Sequence, residues 1–195
     1  MADNKPMTLD EVAWPKLVFR AGDDTKNQLT IRVWGGAARL ALVKDGEFKS
    51  FFEKPLDLRK QTLIKMELRK MLKAGPDTKF PLVFAKWNQE EKRTSPEWVF
   101  AGVKDSKLCY SIEIHWNGNI YKFPLKGPFG VSRGSDGLSD ADKSEVELLT
   151  LIDFFEKQLP IATVLSNRKR EFSGNSNSRS EEASSGSKNS EDSYF

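Results

Sequence analysis

The stretch LTIRVWGGAARLALVKDG, residues 29–46, decides how this chain of 195 residues is expected to fold. Apolar side chains occupy every second position of its first half, and Arg32 and Trp34 lie between them on the other face of a predicted strand. Gly35-Gly36 supplies a turn, a second alternating run follows, and Asp45-Gly46 is a strong hairpin signal. The stretch therefore predicts two antiparallel strands with one apolar face and one face that carries a cation beside an indole ring.

Further strands flank this hairpin, and a helix follows them. PKLVFR (residues 15–20) precedes the hairpin and EFKSFF (residues 47–52) follows it. The period then changes, and apolar side chains recur at helical spacing through LIKMELRKML, residues 63–72. Asp57 is placed to cap the start of this helix, and Gly75-Pro76 is placed to end it. The predicted order is four strands and then a helix.

The second half of the chain repeats this order. Four strand-like runs, the last two joined by an Asn117-Gly118 turn, occupy residues 80–87, 97–104, 108–116 and 119–126. A Gly-rich loop then leads into a second helix. Ser139 is placed to cap that helix, and Pro160 is expected to stop it.

These patterns predict an α+β fold of two ββββα units, residues 14–75 and 80–160, within one domain over residues 13–167. The first dozen residues are expected to form a flexible N-terminus. Residues 168–195 form a tail rich in Ser, Asn, Gly and charge, which offers too little apolar surface to offset chain entropy and is expected to be disordered. An OB-fold, which also combines short strands with a helix, is the alternative.

Charge is divided unevenly along the chain. The net charge is +3, and residues 172–195 hold two cations and four anions, a net −2, so the other 171 residues carry +5. A basic body with an acidic tail predicts a polyanionic partner. Cys109 is the only cysteine, and neither a signal peptide nor an apolar run of about 20 residues occurs. We therefore expect a soluble protein of the cytoplasm, or of the host cytoplasm if a phage encodes it, without a membrane partner.

Residue types that support catalysis are sparse. One histidine and one cysteine form neither a zinc site nor a Ser-His-Asp triad. Asp77, with Glu97 or Glu113, faintly resembles the PD-(D/E)xK nuclease pattern, but His115 stands where that pattern has lysine. We expect no enzyme, no catalytic residue, no metal and no cofactor. A magnesium-dependent DNA-processing nuclease is the less favoured alternative.

Cations interleaved with aromatic rings on strands are the stronger signal. Single-stranded nucleic acid is bound by this combination, because cations contact its phosphates and aromatic rings stack on its bases. The strongest pair is Arg32 with Trp34, which lie opposite a core-facing apolar stripe, whereas Trp98 and Phe100 are expected in the core. The predicted DNA-binding residues are Arg20, Arg32, Trp34, Arg39, Lys44, Lys86, Trp87, Lys104, Lys122, Lys126 and Arg133.

The opening stretch resembles the β-hairpin of the positive-cofactor-four transcriptional coactivators. That hairpin has an apolar-x-apolar-Arg strand, an aromatic residue, a glycine turn and a second strand ending in a basic residue, and Ile31-Arg32, Trp34, Gly35-Gly36 and Lys44 occupy those places here. The ββββα order is similar to the fold shared by that family and the plant Whirly proteins, which carry the unit twice. Both groups bind single-stranded DNA, so the resemblance implies that activity.

The last residues, SEDSYF (190–195), resemble the acidic, aromatic-tipped tails of bacterial and phage single-stranded-DNA-binding proteins. The resemblance implies that Glu191, Asp192, Tyr194 and Phe195 dock on replication or recombination proteins and that the acids compete with DNA. We therefore hypothesise a DNA-coating protein of low sequence specificity that acts in replication or recombination, with self-association left open. A transcription coactivator-like interaction protein is the other alternative.

Overall fold

The predicted hairpin is present in the structure, a computed structural model that describes residues 16–22, 26–34, 37–44, 47, 49–127, 132–133 and 136–165. Asn27–Trp34 (β2) pairs antiparallel with Ala37–Lys44 (β3). Lys16–Arg20 (β1) and Ser50–Pro55 (β4) flank them, so that sheet 1 is a meander with the order β1-β2-β3-β4. The Asp45-Gly46 turn lies outside the described residues.

A helix follows sheet 1 with the predicted N-cap, and it ends at Lys73, with Ala74 as its C-cap. Leu58–Lys73 (α1) begins after Asp57, whose side chain accepts a hydrogen bond of 2.9 Å from the backbone N–H of Lys60. This bond lowers the pKa of Asp57, because it stabilises the carboxylate form. One face of the helix is buried at a spacing of three and four residues, which is the period of an amphipathic helix. The buried residues are Gln61, Ile64, Leu68 and Met71.

A second meander and a second helix follow. The strands of sheet 2, in the order β5-β6-β7-β8, are Thr78–Asn88, Arg93–Lys104, Tyr110–Trp116 and Asn119–Pro124. Asn117 and Gly118 form the predicted turn, both with positive φ. After a pair of two-residue strands, Ser132–Arg133 (β9) and Asp136–Gly137 (β10), helix Asp140–Asp153 (α2) begins with a capping box between Ser139 and Asp142. The α+β class is confirmed.

The second helix does not stop at Pro160. Phe154–Gln158 form one π-helical turn, in which the N–H of Leu159 donates to the carbonyl of Phe154, and helical residues continue to position 165. Proline has no N–H to donate, so it normally interrupts the helical ladder. Here the register of the ladder already changes just before the proline. The expectation that Pro160 ends the helix is therefore wrong.

Three further expectations are corrected. Strand β4 covers Ser50–Pro55 rather than residues 47–52. Leu108 lies in the β6–β7 turn with a φ of +63° rather than on a strand, because Asp105 accepts backbone N–H groups there and forms the turn. The OB-fold alternative is wrong for the described strands, because the eight long ones form two separate meanders rather than one barrel.

Two neighbouring phenylalanines join the sheets. The register of β4 shifts between Leu42 and Val43, and such a bulge directs consecutive side chains toward the same side. Phe51 therefore packs on Tyr121 of sheet 2, with ring centroids 5.7 Å apart, while Phe52 packs on Trp98 at 5.8 Å.

Helix α1 packs across β5 and β6, and α2 packs against β7. Gly102 lets α1 pack close to β6, because an added Cβ at this position would lie 2.6 Å from Met71 Sδ. None of the helices in the described ranges is both long and apolar enough to span a bilayer.

Candidate nucleic-acid interface

Three cations stand in register across sheet 1. Lys16 of β1 lies opposite Arg32 of β2, and Arg32 lies opposite Arg39 of β3. Neighbouring strands are about 4.8 Å apart, so the three backbone positions span roughly 10 Å. Like charges directly opposite one another on adjacent strands destabilise a sheet. Such a row is therefore most stable beside an anion.

This row lies on the face of sheet 1 that points away from the apolar core. Leu29, Ile31 and Val33 are buried on the core side of β2, so the alternation places Arg32 and Trp34 on the opposite side. We call this opposite side the outer face of sheet 1. Its charged residues in the described strands are Lys16, Arg20, Arg32, Arg39 and Glu53, a net charge of +3.

Trp34 presents its ring to solvent at the end of the hairpin. Trp34 is 63% exposed, and the residue opposite it on β3 is the small Ala37. The guanidinium carbon of Arg32 lies 5.5 Å from the centroid of the indole, which is a cation–π arrangement. Arg39 Nε donates a hydrogen bond of 3.1 Å to the carbonyl of Trp34 and holds the backbone at this point. Arg32 thus contacts the ring and Arg39 holds its backbone, while the ring remains exposed to a ligand.

Glu53 is the acid that contacts both arginines. Its Oε1 accepts a hydrogen bond of 2.9 Å from Arg39, and its Oε2 lies 3.9 Å from Arg32. Ser50 Oγ donates to the same Oε2 at 2.8 Å and fixes the carboxylate on the sheet. One carboxylate therefore partly neutralises two guanidinium groups.

Sheet 2 has a different outer face. Glu113 accepts a hydrogen bond of 2.6 Å from Lys79 Nζ and lies 3.1 Å from His115 Nε2. Burial raises the pKa of Glu113, but the hydrogen bonds from Lys79 and His115 outweigh burial, and the pKa is lowered overall. Val83 and Ile120 are exposed on the same face, and Lys122 lies opposite Glu113. This face combines a closed ion-pair cluster with apolar side chains.

The structure brings together only some of the predicted DNA-binding residues. Arg32, Trp34 and Arg39 form one cluster, and Arg20 lies on the same face of sheet 1. Lys44 follows the core-facing alternation of β3 and therefore lies on the other side, although it is exposed at the strand end. Lys122 and Lys126 lie on or just after β8 of sheet 2.

Lys86 and Trp87 lie on a ribbon that extends from sheet 2. Residues 85–96 continue β5 and β6 beyond a bulge as a two-stranded arm, where Trp87 is 57% exposed and pairs with Thr94. At the base of the arm, Lys54 of sheet 1 contacts Glu97 at 2.7 Å. The arm thus presents a second exposed aromatic ring, Trp87, with a second exposed cation, Lys86, apart from the cluster of Arg32, Trp34 and Arg39.

Lys104 is buried and contacts the C-terminal end of α1. The residue is only 8% exposed, its Nζ donates a hydrogen bond of 2.8 Å to the carbonyl of Ala74, and it lies 5.0 Å from the centroid of Tyr110. A cation at this carbonyl satisfies the C-terminal end of α1 and suits its dipole. The structure therefore removes Lys104 from any surface that it could share with Arg32. Trp98 and Phe100 are buried, as predicted.

The sequence reading missed Lys16 and Glu53. The alternation of KLVFR would have placed Lys16 on the same face as Arg20, and that signal was available. No local pattern pairs Glu53 with arginines on two other strands. Two other predictions fall outside the described part: the side chain of Arg133, and the tail residues Glu191, Asp192, Tyr194 and Phe195.

Two of the three carboxylates considered for a nuclease are paired with lysines. Asp77 lies in the α1–β5 connection with a φ of +55°, Glu97 contacts Lys54, and Glu113 contacts Lys79. Across the described ranges, no group of three or more His, Cys, Asp and Glu side chains could hold a metal ion.

No protein-family model, no curated protein and no solved structure matches the chain.

Proposed function

We propose that this protein binds single-stranded DNA with low sequence specificity through the outer face of sheet 1. The observation that carries the proposal is the row of Lys16, Arg32 and Arg39 beside the exposed ring of Trp34. The row offers cations at intervals of about one strand spacing to a phosphate backbone, and the ring offers a stacking surface to a base. Base stacking of this kind contributes about 1–3 kcal/mol per base and tolerates any base.

The arrangement favours an unpaired strand over a duplex. An indole at the end of a sheet stacks only on a base whose face is free, and the bases of a duplex are already stacked on one another. Arg32 covers one side of the ring, so the base would stack on the other side. Cations alone would bind either form of DNA through its phosphates.

The order of elements adds support at the level of the fold. The chain forms a four-stranded meander followed by a helix twice, with the short strands β9 and β10 before the second helix, and the proposed surface includes the hairpin that resembles the positive-cofactor-four family. We propose that the two units correspond to the fold of that family and of the Whirly proteins. The resemblance of residues 190–195 to the tails of single-stranded-DNA-binding proteins extends the proposal to a role in DNA replication or recombination.

Partner recruitment is the second part of the proposal. Residues 190–195, with Glu191, Asp192, Tyr194 and Phe195, would contact a replication or recombination protein through their acids and rings. Deletion of these six residues should leave affinity for DNA within about twofold and abolish a specific protein contact. Pull-down with the full chain and the shortened chain tests this, and a loss of DNA binding on deletion would contradict the separation of roles.

A binding titration tests the main proposal. Fluorescence anisotropy with labelled oligo-dT, a duplex of the same length and the corresponding RNA would be measured at about 50 and 200 mM salt. We expect the single strand to bind more tightly than the duplex, and we expect affinity to fall steeply with salt because phosphate contacts release counterions. Equal affinity for the duplex, or binding that salt leaves unchanged, would overturn the proposal.

A further inference from the structure

The paired arginines of the outer face are held unequally. Arg39 makes two hydrogen bonds, to Glu53 and to the carbonyl of Trp34, at 2.9 and 3.1 Å. Arg32 makes neither: its nearest approach to Glu53 is 3.9 Å, beyond hydrogen-bond distance, and its buried Nε has no partner among the described residues. Arg39 is therefore hydrogen-bonded into the hairpin, whereas Arg32 is held to Glu53 more loosely, by an ion pair at 3.9 Å.

The carboxylate of Glu53 occupies the place beside the two arginines where an anionic ligand would bind. Arg32 and Arg39 are directly opposite on adjacent strands, and Glu53 lies on the neighbouring strand, where its two oxygens face the two guanidinium groups. A phosphodiester also offers two negatively charged oxygens, and arginine binds phosphate and carboxylate with the same planar set of donors. The two anions would thus compete for the same donors of Arg32.

We infer that Glu53 is a built-in competitor for the DNA phosphate, and that Arg32 exchanges Glu53 for phosphate while Arg39 stays on Glu53. The inference rests on the proposed function, since it assigns a regulator to the same surface. Ser50 holds the carboxylate in place, so Glu53 repels an incoming phosphate rather than moving away from it. The surface then binds DNA less tightly than its cations alone would allow, and release of the strand is easier.

Two effects follow when the carboxylate is removed. In Glu53→Gln, the arginines lose their anion and gain affinity for phosphate, so oligo-dT should bind about 3- to 10-fold more tightly. Arg32 would also contact phosphate in a larger share of the complexes, and each such contact releases a counterion from the DNA. The slope of log K against log salt should therefore become steeper by up to about 0.7, the contribution of one phosphate contact on a single strand.

A matched control separates this effect from net charge. Glu156 has a side-chain exposure of 23% against 24% for Glu53, and it also pairs with an arginine, Arg69, but it lies on the helical side of the chain. Glu156→Gln changes the net charge by the same amount and should leave affinity for oligo-dT within about twofold. The double variant Arg32→Gln with Glu53→Gln should lose the gain, because the two residues act on one contact.

The test is anisotropy titration of oligo-dT with the full-length wild type and these variants at several salt concentrations. Thermal melting would confirm that each variant is folded, and Glu53→Thr, with a good strand-forming residue, replaces Glu53→Gln if the latter unfolds. Tighter binding and a steeper slope for Glu53→Gln alone support the inference. It is overturned if that variant binds equally or more weakly while the wild type binds, or if the gain persists without Arg32. If neither the wild type nor Glu53→Gln binds single-stranded DNA, both the proposed function and this inference fail.

Discussion

Each half of the molecule places a cation beside an aromatic ring at the turn end of its central hairpin, with opposite consequences. In the first half, Arg32 lies 5.5 Å from the exposed ring of Trp34. In the second half, Lys104 lies 5.0 Å from the buried ring of Tyr110 and caps α1. Topology is shared, but the side of the strand on which the pair lies differs. The same chemical pair is therefore available to a ligand in one half and belongs to the interior in the other.

The largest expected effect comes from removal of the exposed pair. The double variant Arg32→Ala with Trp34→Ala should bind oligo-dT about 5- to 150-fold more weakly, or weaker still. The loss of base stacking alone removes about 1–3 kcal/mol of binding free energy. The free energy of unfolding should change by about 1 kcal/mol or less, because Trp34 is 63% exposed and its contact with Arg32 is a surface cation–π contact. Anisotropy and urea denaturation measure the two quantities.

The control for this variant is Arg59→Ala with Leu63→Ala, which removes an exposed cation and an exposed apolar side chain from α1. It should retain wild-type affinity. If both double variants lose affinity equally, the outer face of sheet 1 has no special role.

Removal of the buried cation should have the opposite profile. Lys104→Met keeps most of the side-chain volume but loses the hydrogen bond to Ala74 and leaves that carbonyl without its donor. We expect a loss of about 1–3 kcal/mol in the free energy of unfolding and an unchanged affinity for oligo-dT. Lys107→Met, in the adjacent turn and exposed, should change neither quantity. Weaker DNA binding by folded Lys104→Met would contradict the assignment of this lysine to the interior.

The fold was largely predictable because it depends on local patterns. Asp57 and the Ser139–Asp142 capping box mark helix starts through short-range hydrogen bonds, and period-two alternation identified most of the strands. Pro160 was misjudged because a π turn, which has no sequence signature of its own, precedes it. The bulge that turns Phe51 toward sheet 2 likewise depends on strand pairing that alternation does not specify.

The candidate site was predictable only in part. Alternation correctly placed Arg32 and Trp34 on the face opposite the core, and Trp98 and Phe100 are buried as expected. Lys104, predicted to bind DNA, donates to the carbonyl of Ala74, a partner 30 residues earlier that no local pattern reveals. Glu53 was missed for the same reason, since its partners lie on strands that are adjacent only after folding.

A smaller effect distinguishes the outer faces of the two sheets. Arg32→Gln should lower the slope of log K against log salt by up to about 0.7, the contribution of one phosphate contact on a single strand. Lys122→Gln, on the outer face of sheet 2, should leave the slope unchanged. Salt titration of both variants checks this. An equal decrease for Lys122→Gln would extend the DNA path onto sheet 2.

The smallest effect concerns acid stability of sheet 2. The pKa of Glu113 is lowered in the folded protein, so its stabilising contribution is present above the unfolded pKa of about 4.3 and is lost as pH falls through the folded pKa. Between neutral pH and about pH 3, the wild type should therefore lose more unfolding free energy than Glu113→Gln. Urea denaturation at several pH values measures the difference. A steeper decline in the variant would show that the contacts with Lys79 and His115 do not stabilise the carboxylate form.

Ultraviolet crosslinking of the full chain to oligo-dT, followed by peptide mass spectrometry, tests the central claim most directly. Cleavage after Arg32 and Arg39 places Trp34 in its own peptide, residues 33–39, while the buried Trp98 lies in residues 94–104. The account predicts that the nucleotide adduct is found on residues 33–39 and decreases with added salt. Adducts confined to peptides of α1 or α2, with residues 33–39 unmodified, would contradict it.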